Sequence, residues 1–137
     1  MKKHIIAFGI LLLMLLTIVG CASAPATTAP NSALLPEVSV QDAAKLRDAG
    51  AFVLDVREPS EWAQVHIPGA TLIPLGQLSA RANEVPKDKQ VVVICHSGNR
   101  SKKGRDALLQ AGFTNVSSVN GGMNAWSAAG YPTVSGN

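Results

Sequence analysis

Val91-Val92-Val93-Ile94-Cys95-His96-Ser97-Gly98-Asn99-Arg100-Ser101 opens with four β-branched apolar residues in a row. Such a run predicts a strand buried on both faces, the kind that parallel sheets contain. A polar, glycine-containing loop follows at once. A helical pattern then runs from Lys102 to Ala111 and ends at Gly112. The cysteine at the end of the strand therefore faces a helix N-terminus across a tight loop. Unpaired amides and the helix dipole favour an anion there. A thiol in that place is stabilised as thiolate, the form that attacks and binds. Cys95 is in the setting of a nucleophile.

Working outward, the apolar and helical patterns alternate. Ser39 with Asp42 three residues on predicts an N-cap opening a helix through Ala43, Ala44, Leu46 and Ala49, closed by Gly50. Ala51 to Val56 predicts a buried strand, and Glu58-Pro59-Ser60-Glu61-Trp62 a short helix with proline in its first turn. Thr71 to Leu75 reads as a short strand, Leu78 to Glu84 as a helix, and Val116 to Val119 as another strand. Asn120-Gly121-Gly122 turns into a last helix from Met123 to Ala129. Strands and helices alternating at this spacing predict an α/β fold, a parallel β-sheet flanked by helices on both faces. In such folds the functional loops lie at the carboxyl ends of the strands. Cys95, Asp55-Val56-Arg57 and Asn120-Gly121 are expected to converge on one rim.

The front of the chain has a different character. Lys2 and Lys3 precede an uncharged apolar run from Ile5 to Leu16, continued to Val19. That pattern predicts a signal peptide over residues 1–20, and the run is short for a membrane span. Ile18-Val19-Gly20-Cys21 resembles the bacterial lipoprotein signal, in which the cysteine is lipidated and becomes the new N-terminus. Cys21 is thus the expected lipidation site, and a lipid anchor would hold the chain to a membrane on the periplasmic or extracytoplasmic side. Residues 21–36, rich in Ala, Pro, Thr and Ser, read as a tether, and residues 37–137 as the domain.

Charge and cysteine usage narrow the function. The chain has 12 Lys and Arg against 9 Asp and Glu, a net +3. Residues 1–20 hold two of those cations and none of the acids, so the remainder carries ten against nine, or +1. With no aromatic-basic interleaving, nothing points to nucleic acid. Cys21 and Cys95 are the two cysteines, and acylation of the first leaves Cys95 without a disulfide partner in its chain. The three histidines, His4, His66 and His96, form no metal-ligand spacing.

Three passages resemble rhodanese-like domains. Asp55-Val56-Arg57-Glu58 with Glu61-Trp62 and His66-Ile67-Pro68-Gly69-Ala70 is similar to their first signature. Cys95 to Ser101 is similar to their active-site loop, and Asn120-Gly121-Gly122-Met123-Asn124-Ala125-Trp126 to their closing Gly-Gly-x-x-x-Trp passage. They occur in the expected order and cover about residues 37–132. Val65 departs from the pattern, which usually has glycine there. The resemblance implies sulfur transfer without a cofactor. A cysteine takes a sulfane sulfur from an anionic donor such as thiosulfate and passes it to a thiol or cyanide-like acceptor.

Carried onto this chain, the resemblance makes Cys95 the catalytic nucleophile. His96, Ser97, Gly98, Asn99, Arg100 and Ser101 form the substrate and anion-binding loop, with Arg100 supplying fixed positive charge. Lys102, Lys103 and Arg105 either draw anions to the entrance or form a solvated helix face. Asp55 and Arg57 either support the rim of the loop or, for Arg57 with Glu61, make an ordinary surface ion pair. His66 reads as a structural turn residue, and Trp62 and Trp126 as packing. Four residues separate Cys95 from Arg100. Phosphatases of the same superfamily, and protein tyrosine phosphatases generally, have five, so the shorter loop favours sulfur over phosphate. The alternative to a sulfurtransferase is a carrier or binding module of the same fold with little turnover on small molecules.

Overall fold

A computed structural model describes residues 35–136, and the expected signal peptide, Cys21 and most of the tether lie outside the described residues. Within these bounds the strands are β1 (Glu37–Val38), β2 (Phe52–Asp55), β3 (Thr71–Leu72), β4 (Val91–Ile94) and β5 (Val116–Val119). The helices are α1 (Val40–Asp48), α2 (Pro59–Gln64), α3 (Leu78–Arg81), α4 (Asn99–Gln110) and α5 (Gly122–Ala128). The five strands form one sheet in the order β1-β5-β4-β2-β3, and every pair is parallel.

Strand alternation divides the interior in two. Successive side chains of β4 point to opposite faces, so Val92 and Ile94 join one core and Val91, Val93 and Cys95 the other. The first core takes Ala43 and Ala44 from α1 and Met123 and Trp126 from α5. The second takes Leu78 from α3 and Leu108 from α4. Helices therefore cover both faces, which is why β4 is apolar throughout and all four of its residues are buried. Gly104 lets α4 lie close on the sheet, because a Cβ there would sit 3.1 Å from Val93 Cγ1 and 3.2 Å from Val56 Cγ1.

The local expectations mostly hold, but strand β1 is unexpected and the strand expected from Thr71 to Leu75 is only Thr71–Leu72. Ser39 caps α1, its hydroxyl accepting from the Asp42 amide at 3.1 Å. α4 starts at Asn99, three residues before the expected Lys102, because Gly98 takes φ +104° and serves as its N-cap. The expected helix over residues 78–84 is one turn, α3, flanked by 3₁₀ segments at Leu75–Gln77 and Ala82–Glu84. The tether boundary also moves: residues 35 and 36 belong to the fold. The Leu35 carbonyl accepts from the Ser117 hydroxyl at 2.8 Å, and the Pro36 carbonyl from the Ser118 amide at 3.0 Å and the Arg105 guanidinium at 2.8 Å. The Ser117 hydroxyl bond, and one from the Ser118 hydroxyl to the Pro36 carbonyl at 3.1 Å, explain two serines in a fully buried strand, since a buried hydroxyl requires a partner.

The sheet order sets the place for a site. From β2 the chain moves outward to β3, whereas from β4 it moves the opposite way to β5. The two connections diverge, so β2 and β4 flank a topological switch point, where open α/β sheets place their ligands.

Candidate functional site

The loop after β4 is short. Cys95 is buried at 1 % exposure, and the Gly98 amide donates to its Sγ at 3.1 Å. Gly98 turns the chain through its left-handed conformation, which glycine adopts without strain, and α4 begins at the next residue. The amides of His96, Ser97, Asn99, Arg100 and Ser101 have no acceptor among the described residues. Open donors are what a helix N-terminus leaves. Here they belong to the six residues that follow Cys95, whose sulfur already accepts one hydrogen bond. His96, Ser97 and Asn99 are exposed and Gly98 is buried.

Ser101 has another task. It is completely buried, and its hydroxyl donates to the Gly98 carbonyl at 2.7 Å and lies 3.4 Å from the Val119 carbonyl. That side chain holds the loop closed and offers nothing outward. A second brace comes from α5, whose Met123 and Asn124 amides donate to the Cys95 and His96 carbonyls at 2.8 and 3.1 Å. Gly122 (φ +54°) makes that approach possible, because a Cβ there would collide with the Cys95 carbonyl and the His96 backbone. The expected convergence of the β2, β4 and β5 ends is present.

The ion pairs differ from expectation. Arg57 is no surface residue: it and Asp55 are 2 % and 1 % exposed at the side chain. The Arg57 guanidinium donates to both Asp55 oxygens, at 2.7 to 3.0 Å, and to the Val65 carbonyl at 2.7 Å. Neither residue hydrogen-bonds the 95–101 loop, although the Asp55 charge contributes to raising Arg100. Val65 has an extended backbone, φ −163°, which any residue adopts, and the missing glycine leaves the turn intact.

Glu61 pairs instead with Arg100. The guanidinium donates two parallel hydrogen bonds, Nη1 to Oε2 at 2.6 Å and Nη2 to Oε1 at 2.7 Å. That fork geometry is the strongest an arginine makes. Hydrogen bonding from Arg100 holds the Glu61 carboxyl down to about 2 against burial, and Glu61 in turn raises Arg100 above its ordinary value. The fixed charge expected of Arg100 is therefore already matched. The sequence reading paired Glu61 with Arg57, and residues 39 apart carry no local signal that they will meet.

The entrance is likewise less positive than expected. Lys102 pairs with Glu37 at 2.8 Å and Arg105 with Asp106 at 2.7 Å. Lys103 is exposed and has no acidic partner among the described residues. His66 is structural: it stacks on Trp62 with centroids 3.7 Å apart, its Nδ1 lies 3.0 Å from the Trp62 carbonyl, and its backbone pairs with Val134. Trp126 is core, with Nε1 donating to the Pro132 carbonyl at 3.1 Å.

Comparison with known proteins agrees with this architecture. "Putative sulfur carrier protein YrkF" of Bacillus subtilis (strain 168) is 39 % identical over 99 residues, 70 % of this chain, which spans only about half (53 %) of that relative's length. "Thiosulfate sulfurtransferase GlpE" of Pseudomonas entomophila (strain L48) is 35 % identical over 102 residues, covering 73 % of this chain and 93 % of the relative. Among solved structures, a rhodanese-related protein from Thermoplasma volcanium superposes with a TM-score of 0.68 at 35 % identity, over 73 % of this chain and 98 % of that one. The sequence profile of the rhodanese-like domain matches residues 39–129. The chain belongs to the rhodanese-like domain family.

Proposed function

We propose that this protein is a sulfurtransferase that carries a sulfane sulfur as a persulfide on Cys95. The observation that carries the reading is the placement of Cys95 Sγ, 3.1 Å from the Gly98 amide, in the loop that leads into the open first-turn amides of α4. Such donors stabilise the attacking thiolate and the anion that it becomes. The thiolate attacks the outer sulfur of thiosulfate or a related donor. A bond forms between Sγ and that sulfur as the donor S–S bond breaks, and sulfite leaves with the electron pair. A thiol or cyanide-like acceptor then attacks the outer sulfur of the persulfide and restores the Cys95 thiolate. The 95–100 loop, with four residues between cysteine and arginine, supports sulfur over phosphate. The similarity to GlpE supports thiosulfate as a donor.

The similarity to YrkF favours a second reading, a persulfide carrier that hands sulfur to a partner with little turnover of its own. For the front of the chain we propose lipidation at Cys21 and attachment to a membrane outside the cytoplasm, on the strength of Ile18-Val19-Gly20-Cys21 after an apolar run.

Intact mass of the full-length protein before and after thiosulfate, beside Cys95→Ser, tests the reaction. A gain of one sulfur in the wild type alone, lost to cyanide with release of thiocyanate, supports the sulfurtransferase. A sulfur gained but released only slowly to small acceptors favours the carrier. No gain from thiosulfate or a persulfide, with the thiol shown to be reduced, overturns both.

A further inference from the structure

Four cationic side chains lie between residues 100 and 105, and three of them are matched by acids. Arg100 is engaged by Glu61 through two bonds of 2.6 and 2.7 Å, Lys102 by Glu37 at 2.8 Å, and Arg105 by Asp106 at 2.7 Å. Glu61 stands at the third position of α2, directly after β2, and Arg100 at the second position of α4, directly after the Cys95 loop. Their pair therefore spans the switch point between β2 and β4. It closes one side of the site with a neutral unit where the loop alone would present a free guanidinium.

We infer that Glu61 is a positioning residue that sets donor specificity. By holding the Arg100 guanidinium, it withholds that charge from the site and turns preference from dianionic thiosulfate toward the singly charged persulfides of thiols. The inference rests on the sulfur-transfer reading above and names its donor class. A dianion binding beside Cys95 must compete with the Glu61 carboxylate for Arg100 and approach that carboxylate's own charge. A persulfide carries one charge on its outer sulfur, which the backbone amides around Cys95 can meet without help from Arg100. Specificity of this kind comes from the repulsive element as much as from the attractive one.

The step balances with nothing added. The Cys95 thiolate bonds to the outer sulfur of R–S–S⁻, the donor S–S bond breaks, and R–S⁻ leaves with the bonding pair. One thiolate and one persulfide anion enter, and one of each leaves. No oxidant or reductant takes part.

Steady-state kinetics of the full-length wild type, Glu61→Gln and Glu61→Asp, with thiosulfate and with cysteine persulfide as donors, test this. Releasing Arg100 should lower the thiosulfate KM of Glu61→Gln by about three- to fivefold, the worth of a part-exposed ion pair. The persulfide KM should shift less, and Glu61→Asp, which keeps the carboxylate, should lie nearer the wild type. Equal KM changes for both donors, a parallel fall in kcat for both, or an unchanged or higher thiosulfate KM would each overturn the inference. A binding arm separates this outcome from failure of the sulfur-transfer reading. With Cys95→Ser in place, adding Glu61→Gln should tighten thiosulfate binding by the same factor in calorimetry. That arm reads the clamp even if no donor is turned over, and unchanged binding there counts against it.

Discussion

The Met123 amide donates to the Cys95 carbonyl at 2.8 Å. With Asn124 doing the same for His96 at 3.1 Å, α5 uses two of its otherwise unpaired first-turn donors to hold the loop. A trans peptide points its carbonyl and amide in opposite directions, and the described residues contain no cis peptide. Pinning the carbonyls of Cys95 and His96 toward α5 therefore aims the amides of His96 and Ser97 away from it. The last helix of the chain thus fixes part of the donor set that its central loop presents.

Gly122→Ala should remove that brace. The added Cβ meets the Cys95 carbonyl and the His96 backbone, at a φ of +54° that already disfavours a side chain. Backbone strain and overpacking together should lower stability by about 2–4 kcal/mol in urea melts and abolish sulfur loading by intact mass. Gly50→Ala is the control. It has φ +95° with nothing within 4 Å of the new Cβ, so it should lose about 1–2 kcal/mol from strain alone and load sulfur normally.

Asp55→Ala should be among the most damaging single changes outside the apolar core. It strands the Arg57 guanidinium, whose side chain is 2 % exposed, without its carboxylate. Breaking a buried pair from one side costs about 3–5 kcal/mol, mostly because the remaining charge stays buried. Adding Arg57→Met should recover a good part of that loss in urea melts, because it removes the stranded charge. If the double variant is no more stable than Asp55→Ala, the pair does not act as described.

The legible parts of this fold are those where one strong local signal acts alone. The β-branched run at 91–94 can only be buried, Ser39 with Asp42 is a complete cap, and Asn120-Gly121-Gly122 is a turn into a helix. The parts that were missed depend on a choice between comparable partners. Asn99, Arg100 and Ser101 are polar enough to read as loop, yet one glycine at φ +104° lets the helix start three residues early. Arg57 and Arg100 compete for Glu61, and the outcome turns on the Val65 carbonyl and Asp55, which draw Arg57 inward. Leu35 and Pro36 resemble the tether before them and are held against β5 and α4 by Ser117, Ser118 and Arg105, which bond their carbonyls.

Gly104→Ala should test how closely α4 lies on the sheet. Alanine is the better helix former by about 1 kcal/mol, so a purely local effect would stabilise. Contacts of 3.1 and 3.2 Å with Val93 and Val56 predict the reverse, a net loss of about 1–2 kcal/mol once overpacking is included. Combining it with Val93→Ala should cost less than the two single changes summed, because the second makes room for the first. A stabilised single variant would place α4 farther from β4 than described.

The Glu61–Arg100 pair predicts a defined acid sensitivity. Hydrogen bonding from Arg100 lowers the Glu61 carboxyl from 4.5 to about 2 in the folded protein. A depressed carboxyl binds fewer protons folded than unfolded, so its stabilisation is fully present above the unfolded value of 4.5 and is lost as pH falls toward about 2. The stability gap between wild type and Glu61→Gln should be constant from neutral pH down to about pH 5 and then close as pH falls further. With side chains 33 % and 29 % exposed, solvent screening keeps that gap to about 1 kcal/mol or less, and added salt should shrink it. Urea midpoints of the two proteins across this range measure it. Asp42 with Lys45 and Glu84 with Arg81 are unchanged in the variant, so their own acid sensitivity cancels in the difference. A gap that instead changes between pH 6 and pH 8 would mean that the acidic window does not belong to this carboxylate.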